Sequence, residues 1–389
     1  MASASAAGPA PPELLAPVRS IPPDDGAEPP VGVALCLSGG GYRAMLFHLG
    51  VLRRLNEAGW LGRLDRVSSV SGGSIAAGAL ALAWSELDPD DGGRFRAFDE
   101  RVLEPVRGLA SHGLDVGAVL TGLLTPDSAA ERLAKAYKHH LFGDATLQDL
   151  PESPLFVFCA TNVGSGELAR LERRQLADWR VGRVERPDIA LADAVACSSA
   201  FPPVLSPYRL DCSGFDWLTE DDNDLATNEF RRELVLSDGG VYDNLGLETA
   251  WKRCRTVIVS DAGGQMVAES HPESDWGRHM LRVLKVIDNQ VRALRKRQVI
   301  EGLKRGDRDG VYVGIRSHVA DYGLSDPFET DPARTLELAN VPTRLDDIGD
   351  RLQERLINWG YAICDTGLRR HLDSAAGRPD ALPYPPSGI

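Results

Sequence analysis

The sequence predicts an α/β fold in which helices flank a central, mostly parallel β-sheet. Six short runs of apolar residues have the length and composition of buried strands, and turn residues bound them. Longer segments between them repeat apolar residues every three or four positions, which is the spacing of amphipathic helices. Because strands alternate with helices along the chain, we expect the strands to be mostly parallel.

Each predicted element is bounded by residues typical of its ends. The run VGVALCL at 31–37 is nearly continuous in apolar residues, as expected of a parallel strand that is buried on both faces. Gly59 ends the helix that follows it, and the prolines after residue 200 end another. The other predicted strands are 66–70, 154–161, 234–237, 256–260 and 311–315. The longest predicted helices are 276–304 and 344–371, with shorter ones at 189–200 and 244–253.

The 389 residues suffice for one large domain with a substantial core. The sequence contains no internal repeat and no linker composition, so we expect one domain over residues 31–375. Residues 1–30 are rich in proline and alanine and are expected to form a flexible tail. Residues 376–389 are expected to be a short C-terminal tail.

Charge and composition exclude several classes of protein. The net charge is −13, and nucleic-acid binding favours an excess of Lys and Arg, so nucleic acid is not expected as a partner. The N-terminus lacks the basic and apolar blocks of a signal peptide. No apolar run approaches the roughly 20 residues that span a bilayer. We therefore expect a cytoplasmic protein whose contact with membranes is peripheral.

The six cysteines lie far apart and form no CxxC pair and no Cys/His cluster, so no metal site is expected. Most of them stand within apolar runs, which indicates buried free thiols and a reducing compartment. We expect no organic cofactor either.

The segment SVSGG at 69–73 is the first candidate catalytic feature, because it joins a predicted strand to a predicted helix. A serine in such a tight turn projects its hydroxyl from the edge of the sheet, and the crowded backbone requires small neighbours. The helix that follows places its positive dipole end near Ser71, where it can stabilise negative charge. The pattern departs from G-x-S-x-G because Ser69 takes the place of the first glycine. A turn that merely links two elements is the alternative interpretation.

A glycine run, Gly39, Gly40 and Gly41, follows the first predicted strand and opens a helix. Backbone N–H groups at such a helix start are unhindered and unpaired, so they can bind an oxyanion during acyl transfer. Gly39, Gly41 and Ala44 also fit the G-x-G-x-x-G/A pattern of dinucleotide-binding loops, so a nucleotide-binding module is an alternative. That alternative requires an acidic residue at the end of the next strand, where Ser71 and two glycines stand instead.

Asp238 is the third candidate, because it follows a buried apolar run and precedes Gly239 and Gly240. An aspartate at the carboxyl end of a strand lies at the edge where the sites of open α/β sheets gather. An ordinary Asp-Gly β-turn is the alternative. Together, a serine elbow, an oxyanion-binding glycine run and a strand-end acid compose one catalytic design.

These three motifs, in this order, resemble the patatin-like phospholipases, which carry a G-G-G-x-R oxyanion motif, a G-x-S-x-G elbow and a D-G-G/A motif. They stand here as GGGYR at 39–43, SVSGG at 69–73 and DGG at 238–240. The segment ACSSAFPPV at 196–204 is also similar to the family, and the resemblance extends over 31–365. It implies a three-layer patatin-like fold.

The resemblance implies a lipid acyl hydrolase of the phospholipase A or lysophospholipase type with a Ser-Asp dyad. Ser71 would attack the ester carbonyl, and Asp238 would accept its proton and pass it to the leaving alcohol. The amides of the glycine run and of Gly72 would hold the oxyanion. Arg43 would brace the glycine loop or meet a lipid phosphate, with a surface salt bridge as the alternative. The alternative activities with the same dyad are those of a soluble esterase, a thioesterase or a neutral-lipid lipase.

Histidines bear on the alternative of a Ser-Asp-His triad, whose members follow one another in that order along the chain of an α/β-hydrolase. The histidines that follow Asp238 are His271, His279, His318 and His371. None stands in a motif, so each is expected on the surface or on a helix. His48 is expected to be packed or capped within the first helix.

Two further segments bear on lipid contact. The predicted helix at 281–305 is rich in Lys and Arg. Its apolar stripe consists of Leu284, Ile287, Val291 and Leu294. We expect this stripe to pack on the core, with a bilayer surface or self-association as alternatives. The stretch 214–233 mixes acids with aromatic residues, and a mobile flap over the acyl pocket is one hypothesis for it, beside that of an ordinary surface loop.

Overall fold

The computed structural model describes residues 30–112 and 128–389. Within these ranges the chain forms a sheet of eleven strands and eleven α-helices. The strands are β1 Val33–Leu37, β2 Arg66–Ser69, β3 Leu155–Asn162, β4 Glu167–Glu172, β5 Gln175–Asp178, β6 Gly182–Glu185, β7 Tyr208–Asp211, β8 Trp217–Leu218, β9 Glu233–Asp238, β10 Thr256–Asp261 and β11 Asp309–Gly314. The helices are α1 Gly41–Glu57, α2 Gly72–Ala83, α3 Glu104–Ala110, α4 Ala129–Tyr137, α5 Leu191–Ser199, α6 Asn228–Arg231, α7 Gly240–Asp243, α8 Glu248–Trp251, α9 Trp276–Arg305, α10 Pro332–Ala339 and α11 Asp350–Gly367. The expected N-terminal tail lies outside the described residues except for its last residue.

All six strands that the sequence predicts are present, as β1, β2, β3, β9, β10 and β11. Five of them are parallel neighbours, in the order β11-β10-β1-β2-β3. From β3 the sheet continues antiparallel through β4, β5, β6 and β8, which the sequence analysis does not predict. The α/β class with a mostly parallel central sheet is confirmed, and an antiparallel extension is added at one end.

Alternate side chains of the parallel strands face two separate cores. Leu35 and Leu37 of β1 lie in the core that the sheet shares with α1, α2 and α11. Ala34 and Cys36 face the other way, into a core completed by Trp251 of α8. Helices therefore cover both faces in three layers, and burial on both faces explains why β1 is a continuous apolar run. All six cysteines are buried and unpaired, as the sequence predicts.

β9 is the one predicted strand that pairs antiparallel with its neighbours, β3 and β7. β2 pairs in parallel with residues 155–158 of β3, and β9 pairs antiparallel with residues 160–162. Because β4 occupies the other edge of β3, β2 and β9 lie along the same edge and point toward each other. Their carboxyl ends therefore meet, which brings Ser71, two residues after β2, close to Asp238, the last residue of β9.

Helix α9 also departs from the expected arrangement. The sequence analysis places its apolar stripe on the core, but Leu284, Ile287 and Leu294 are exposed. Its buried residues, Val299 and Gly302, are near its C-terminal end. Packing therefore holds the C-terminal end of the helix, and Leu284, Ile287 and Leu294 of the stripe are left uncovered by the described residues. No helix in the described part of the chain is long and apolar enough to cross a membrane.

Residues after 375 pack against α11. The side-chain amide of Asn358 donates to the carbonyl oxygens of Tyr384 at 2.8 Å and Gly388 at 2.9 Å. Ile389 is buried. The domain bounds at 31 and 375 stay a prediction.

Helices α1 and α11 cross with backbone against backbone at two glycines. A Cβ at Gly50 would lie 1.9 Å from the oxygen of Ile357, and a Cβ at Gly360 would lie 2.0 Å from the oxygen of Phe47. We expect Gly360→Ala to lower the free energy of unfolding by at least about 2 kcal/mol, because the added methyl forces the helices apart. Urea unfolding followed by circular dichroism measures this loss.

The matched control is Gly108→Ala in α3, where a Cβ would meet no atom within 4 Å. Alanine is favoured over glycine within a helix by about 0.5–1 kcal/mol. The control should therefore be at least as stable as the parent. A Gly360→Ala protein as stable as this control would show that the crossing accommodates a side chain.

Candidate active site

Ser71 lies in a strained turn between β2 and α2. Its φ of 51° and ψ of −122° fall in a region that residues with a Cβ rarely adopt, at a cost of about 1–3 kcal/mol. Gly72 and Gly73 permit this turn to pack closely, since a Cβ at Gly72 would lie 2.1 Å from the oxygen of Gly41. A Cβ at Gly73 would lie 2.4 Å from the oxygen of Leu37. A serine held in this way presents its hydroxyl at the end of the strand.

The serine that replaces the first elbow glycine fits its position. Ser69 is fully buried, and its hydroxyl donates to the oxygen of Val157 at 3.2 Å. The same hydroxyl accepts a hydrogen bond of 3.0 Å from the Ser74 hydroxyl. A buried hydroxyl with its partners in place costs little, so this departure from G-x-S-x-G is accommodated.

Asp238 ends β9 with one carboxylate oxygen engaged and one free. Oδ1 accepts a hydrogen bond of 2.7 Å from the Gly240 amide. Oδ2 is buried and has no hydrogen-bond partner among the described residues. Burial raises the pKa of Asp238 to about 7, against the lowering effect of the Gly240 amide and of the Ser71 hydroxyl. A carboxyl with a pKa near 7 is suited to accept and return a proton at neutral pH.

The Ser71 hydroxyl is close enough to the Asp238 carboxyl to lower its pKa, but the two groups do not form a hydrogen bond of ordinary geometry. Catalytic hydrogen bonds are often long or poorly aligned before substrate binds, and they shorten in the reacting complex. The free Oδ2 of Asp238 is therefore the atom that can take the proton of Ser71.

Ser198, near the end of α5, connects the serine turn to the aspartate. Its hydroxyl and its carbonyl oxygen both accept from the Ser71 amide, at 3.0 and 3.1 Å. The same carbonyl accepts from the Gly239 amide at 3.3 Å, and the Asp238 amide donates to the oxygen of Ala200 at 2.8 Å. The three sequence motifs do not include Ser198, and its one signal in the sequence is its place in the segment 196–204, which is similar to the family.

The glycine run reaches the serine turn with fewer free amides than expected. The Gly39 amide donates to the oxygen of Asn244 at 3.1 Å, which takes it away from a developing oxyanion. The amides of Gly40, Gly41 and Gly72 have no partner among the described residues. Gly40 and Gly41 have φ values of 150° and 61°, which favour glycine. The arrangement can therefore offer three N–H donors to an oxyanion, rather than four.

Arg43 follows the glycine run in the sequence, and its side chain lies inside the protein. It is 2% exposed, and its guanidinium donates to the oxygen of Ala262 at 2.9 Å and to the oxygen of Val341. Burial, together with the nearby Arg316, lowers the pKa of Arg43 to about 10, so the side chain stays charged at neutral pH. A guanidinium enclosed by backbone oxygens fits the role of a brace, and neither a surface salt bridge nor a lipid contact.

The N-terminus of α1 is covered by the backbone of Arg344. The Tyr42 amide donates to the oxygen of Arg344 at 3.0 Å. A Cβ at Gly41 would lie 2.5 Å from the same oxygen. A dinucleotide loop needs its helix N-terminus open to a pyrophosphate, and a carbonyl oxygen repels that anion. The arrangement disfavours the nucleotide-binding alternative.

Ser71 and Asp238 line a pocket of about 910 Å³. Among its apolar residues are Phe201, Val204, Leu205, Met266, Val267 and Leu345. Its charged residues include Arg282, Lys285, Asp288 and Arg292 of α9, and Arg344 before α11. A cleft of this size with apolar walls and a few polar groups is typical of a small-molecule site and can take an acyl chain.

The histidines do not complete a triad in this pocket. His271, His279, His318 and His371 are exposed, and none of them lines the pocket. His48 is buried in α1, where Nε2 donates to the oxygen of Ser38 at 2.9 Å and Nδ1 accepts from the Ser260 hydroxyl at 2.7 Å. Burial lowers the pKa of His48 to about 4, so it stays neutral and packed, as expected.

The stretch 214–233 does not cover the pocket, so the hypothesis of a flap there is wrong. Its strand β8 pairs with β6 at the far end of the sheet. Trp217 Nε1 donates to the oxygen of Arg231 at 3.1 Å, and the Arg231 guanidinium donates to the oxygen of Val181 at 2.7 Å. None of the stretch lines the pocket, whose mouth is bordered by α9 and the loop before it.

The fold and the site together define a three-layer α/β protein with a serine elbow, a strand-end aspartate and an adjacent glycine loop. The sequence model of the family described as patatin-like phospholipase matches residues 35–251. That range is more than half of the chain and contains all three motifs. The chain therefore belongs to the patatin-like phospholipase family.

Solved structures with a similar fold include human GIVD cytosolic phospholipase A2, at 14% sequence identity and a TM-score of 0.46 over 87% of this chain. VipD from Legionella pneumophila has 16% identity and a TM-score of 0.34, also over 87% of this chain. The matches cover 61% of the human chain and 67% of the VipD chain. No curated protein sequence matches the chain.

Proposed function

We propose that the protein is a lipid acyl hydrolase of the phospholipase A or lysophospholipase type that uses a dyad of Ser71 and Asp238. The observation that carries the proposal is the free, buried Oδ2 of Asp238 beside a serine in a strained turn. Membership in the patatin-like phospholipase family supports this class of reaction. The apolar wall of the pocket supports a substrate with an acyl chain.

The first half of the reaction forms an acyl-enzyme. Asp238 Oδ2 takes the hydroxyl proton while Ser71 Oγ bonds to the ester carbonyl carbon. The carbonyl oxygen becomes an oxyanion, which the free amides of Gly40, Gly41 and Gly72 stabilise. When the oxyanion collapses, the ester C–O bond breaks and Asp238 gives its proton to the leaving alcohol.

The second half of the reaction releases the fatty acid. Water gives a proton to Asp238 as its oxygen bonds to the acyl carbon, and the same amides stabilise the second oxyanion. Its collapse breaks the bond to Ser71 Oγ, which recovers the proton from Asp238. No third ionisable group is needed, because Asp238 exchanges one proton in each half.

Cations at the pocket mouth favour a phospholipid over a neutral lipid. Lys285 and Arg344 line the pocket, are exposed and have no ion-pair partner in the described part of the chain. Arg282 and Arg292 also line it, but they already pair with carboxylates at 3.0 and 2.8 Å. These two unpaired cations outnumber the one carboxylate at the mouth that is unpaired among the described residues, Asp346. The excess of positive charge suits a phosphate group, since charge-assisted hydrogen bonds to phosphate are strong.

A substrate panel combined with a covalent probe tests the proposal. We expect fatty acid release from phospholipid or lysophospholipid to exceed release from triacylglycerol and from short p-nitrophenyl esters. A fluorophosphonate should label the protein and stop this hydrolysis. Preference for short or neutral esters would replace the proposal by the esterase or neutral-lipase alternative. Hydrolysis of none of these esters would refute it.

A further inference from the structure

Helix α9 carries an apolar stripe that the described residues leave uncovered. It contains three residues of the predicted stripe, Leu284, Ile287 and Leu294, and extends toward the N-terminus through Met280 and Trp276. These five exposed residues are called the stripe from here on. At about 100° per residue these positions share one side of the helix. Their exposed fractions range from 51% to 87%. A surface helix of a globular protein normally turns such a stripe toward the core.

The opposite side of α9 is polar and faces the body of the domain. Lys285, Asp288 and Arg292 line the pocket, and Lys296 pairs with the buried Asp261 at 2.6 Å. At about 100° per residue, these positions lie roughly 140° around the helix from the stripe. The helix is therefore amphipathic with its polar side inward and its apolar side outward.

Other exposed apolar side chains border the pocket. Phe201, after α5, and Val267, before α9, both line the pocket and are 51% and 73% exposed. Large apolar groups that gather around one opening indicate a binding surface. The polar side of α9 forms part of the wall of the same pocket, so the helix that carries the stripe also borders this opening.

We propose that the stripe of α9 together with Phe201 and Val267, called here the docking surface, binds a lipid bilayer and presents the pocket to it. The inference rests on the proposed function, since a bilayer holds the lipid esters that the pocket would take. The apolar side chains enter the boundary between headgroups and acyl chains, and Trp276 suits the headgroup level.

The charge of α9 favours an anionic bilayer over a second copy of the chain. The helix contains nine Lys and Arg against two Asp and Glu, in a chain of net charge −13. Six of the nine pair with carboxylates, and Lys285, Arg297 and Lys304 have no ion-pair partner in the described part of the chain, so the helix keeps an excess of positive charge. Surface charges act over a Debye length of roughly 8 Å. The charge of the helix, and not the net charge of the chain, therefore determines the electrostatic attraction to a bilayer that touches the helix. Two copies joined through α9 would bring two basic helices together and crowd both pockets. An anionic bilayer attracts the helix and supplies the substrate.

Flotation with vesicles of phosphatidylcholine and phosphatidylserine tests the proposal. The test variant combines Met280→Asp with Ile287→Asp, and the matched control is Leu336→Asp, an exposed apolar position on α10. Both are made in a Ser71→Ala background so that the vesicles stay intact. We expect the double variant to bind at least about tenfold more weakly and the control to bind like the parent. Unchanged melting curves will show that the fold is kept.

Hydrolysis by proteins with native Ser71 separates docking from catalysis. The double variant should hydrolyse a short soluble ester normally and lose hydrolysis of vesicle phospholipid. Normal hydrolysis of both substrates with unchanged flotation would overturn docking and leave the proposed function standing. If no ester is hydrolysed, the proposed function fails and flotation still decides docking. A dimer that the double variant dissociates, without vesicle binding, would assign the stripe to self-association and overturn docking.

Discussion

Ser71→Ala is expected to lower ester hydrolysis by about four to six orders of magnitude, as the loss of the nucleophile does in serine hydrolases. In the proposed mechanism Ser71 Oγ forms the bond to the acyl carbon, and alanine has no hydroxyl to take its place. The same change should abolish labelling by a fluorophosphonate, which mass spectrometry of the intact chain detects. Alanine keeps the Cβ and the strained backbone of the turn, so the fold should persist.

Ser199→Ala is the matched control for this experiment. Ser199 also lines the pocket and is buried, and its hydroxyl has no hydrogen-bond partner among the described residues. Its loss should leave labelling intact, because Ser199 lies within α5 and not at a strand-to-helix elbow. Labelling that survives Ser71→Ala and disappears in Ser199→Ala would transfer the role of nucleophile to Ser199.

The parallel strands could be predicted because their burial is complete on both faces. β1 and β10 each lie between two other strands of the sheet and beneath helices on both sides. β1 is therefore wholly apolar, and β10 contains the apolar run 257–259. Such runs need no knowledge of tertiary contacts to be recognised. Both strands begin and end within two residues of their predicted bounds.

The antiparallel extension was missed because its charged residues hide its pattern. Glu172 is the last residue of β4 and is nearly fully buried. Its carboxylate forms an ion pair with the guanidinium of Arg66 in β2, at a distance of 3.8 Å. A buried carboxylate breaks the alternation of apolar and polar residues that marks a half-exposed strand. The pairing that permits this burial joins residues far apart in the chain, so no local pattern reveals it.

The candidate site, too, could be predicted from the sequence only where short motifs specify it. Motifs predicted the serine turn, the glycine run and the strand-end aspartate, since each needs particular residue types in a short segment. They did not predict that the Gly39 amide is bonded to Asn244, or that Ser198 holds the serine turn and Gly239 together. These contacts depend on how β9 meets β2 beside β3, which only the tertiary structure fixes.

Asp238→Asn should lower kcat/KM by about two to four orders of magnitude, the usual contribution of a general base. An asparagine keeps the size of the side chain and can still accept from the Gly240 amide, but it cannot take the proton of Ser71. Because the pKa of Asp238 is raised to about 7, the base of the parent enzyme is ionised only above that pH. The parent kcat/KM should therefore rise with pH and level off above about 7, and the variant should lack this limb.

Thermal stability distinguishes a role of Asp238 as general base from a structural role. If Asp238 is the base, Asp238→Asn should have a higher melting temperature than the parent at pH 8. The folded pKa of Asp238 is about 7, above the unfolded value of about 3.9. The folded state therefore binds the proton more tightly, and the parent loses stability as the pH rises from about 4 to about 7. Above pH 7 it must bury a charged carboxylate with a free oxygen, and Asp238→Asn removes that cost. A variant that melts lower at pH 8 and is inactive at every pH would mark Asp238 as structural.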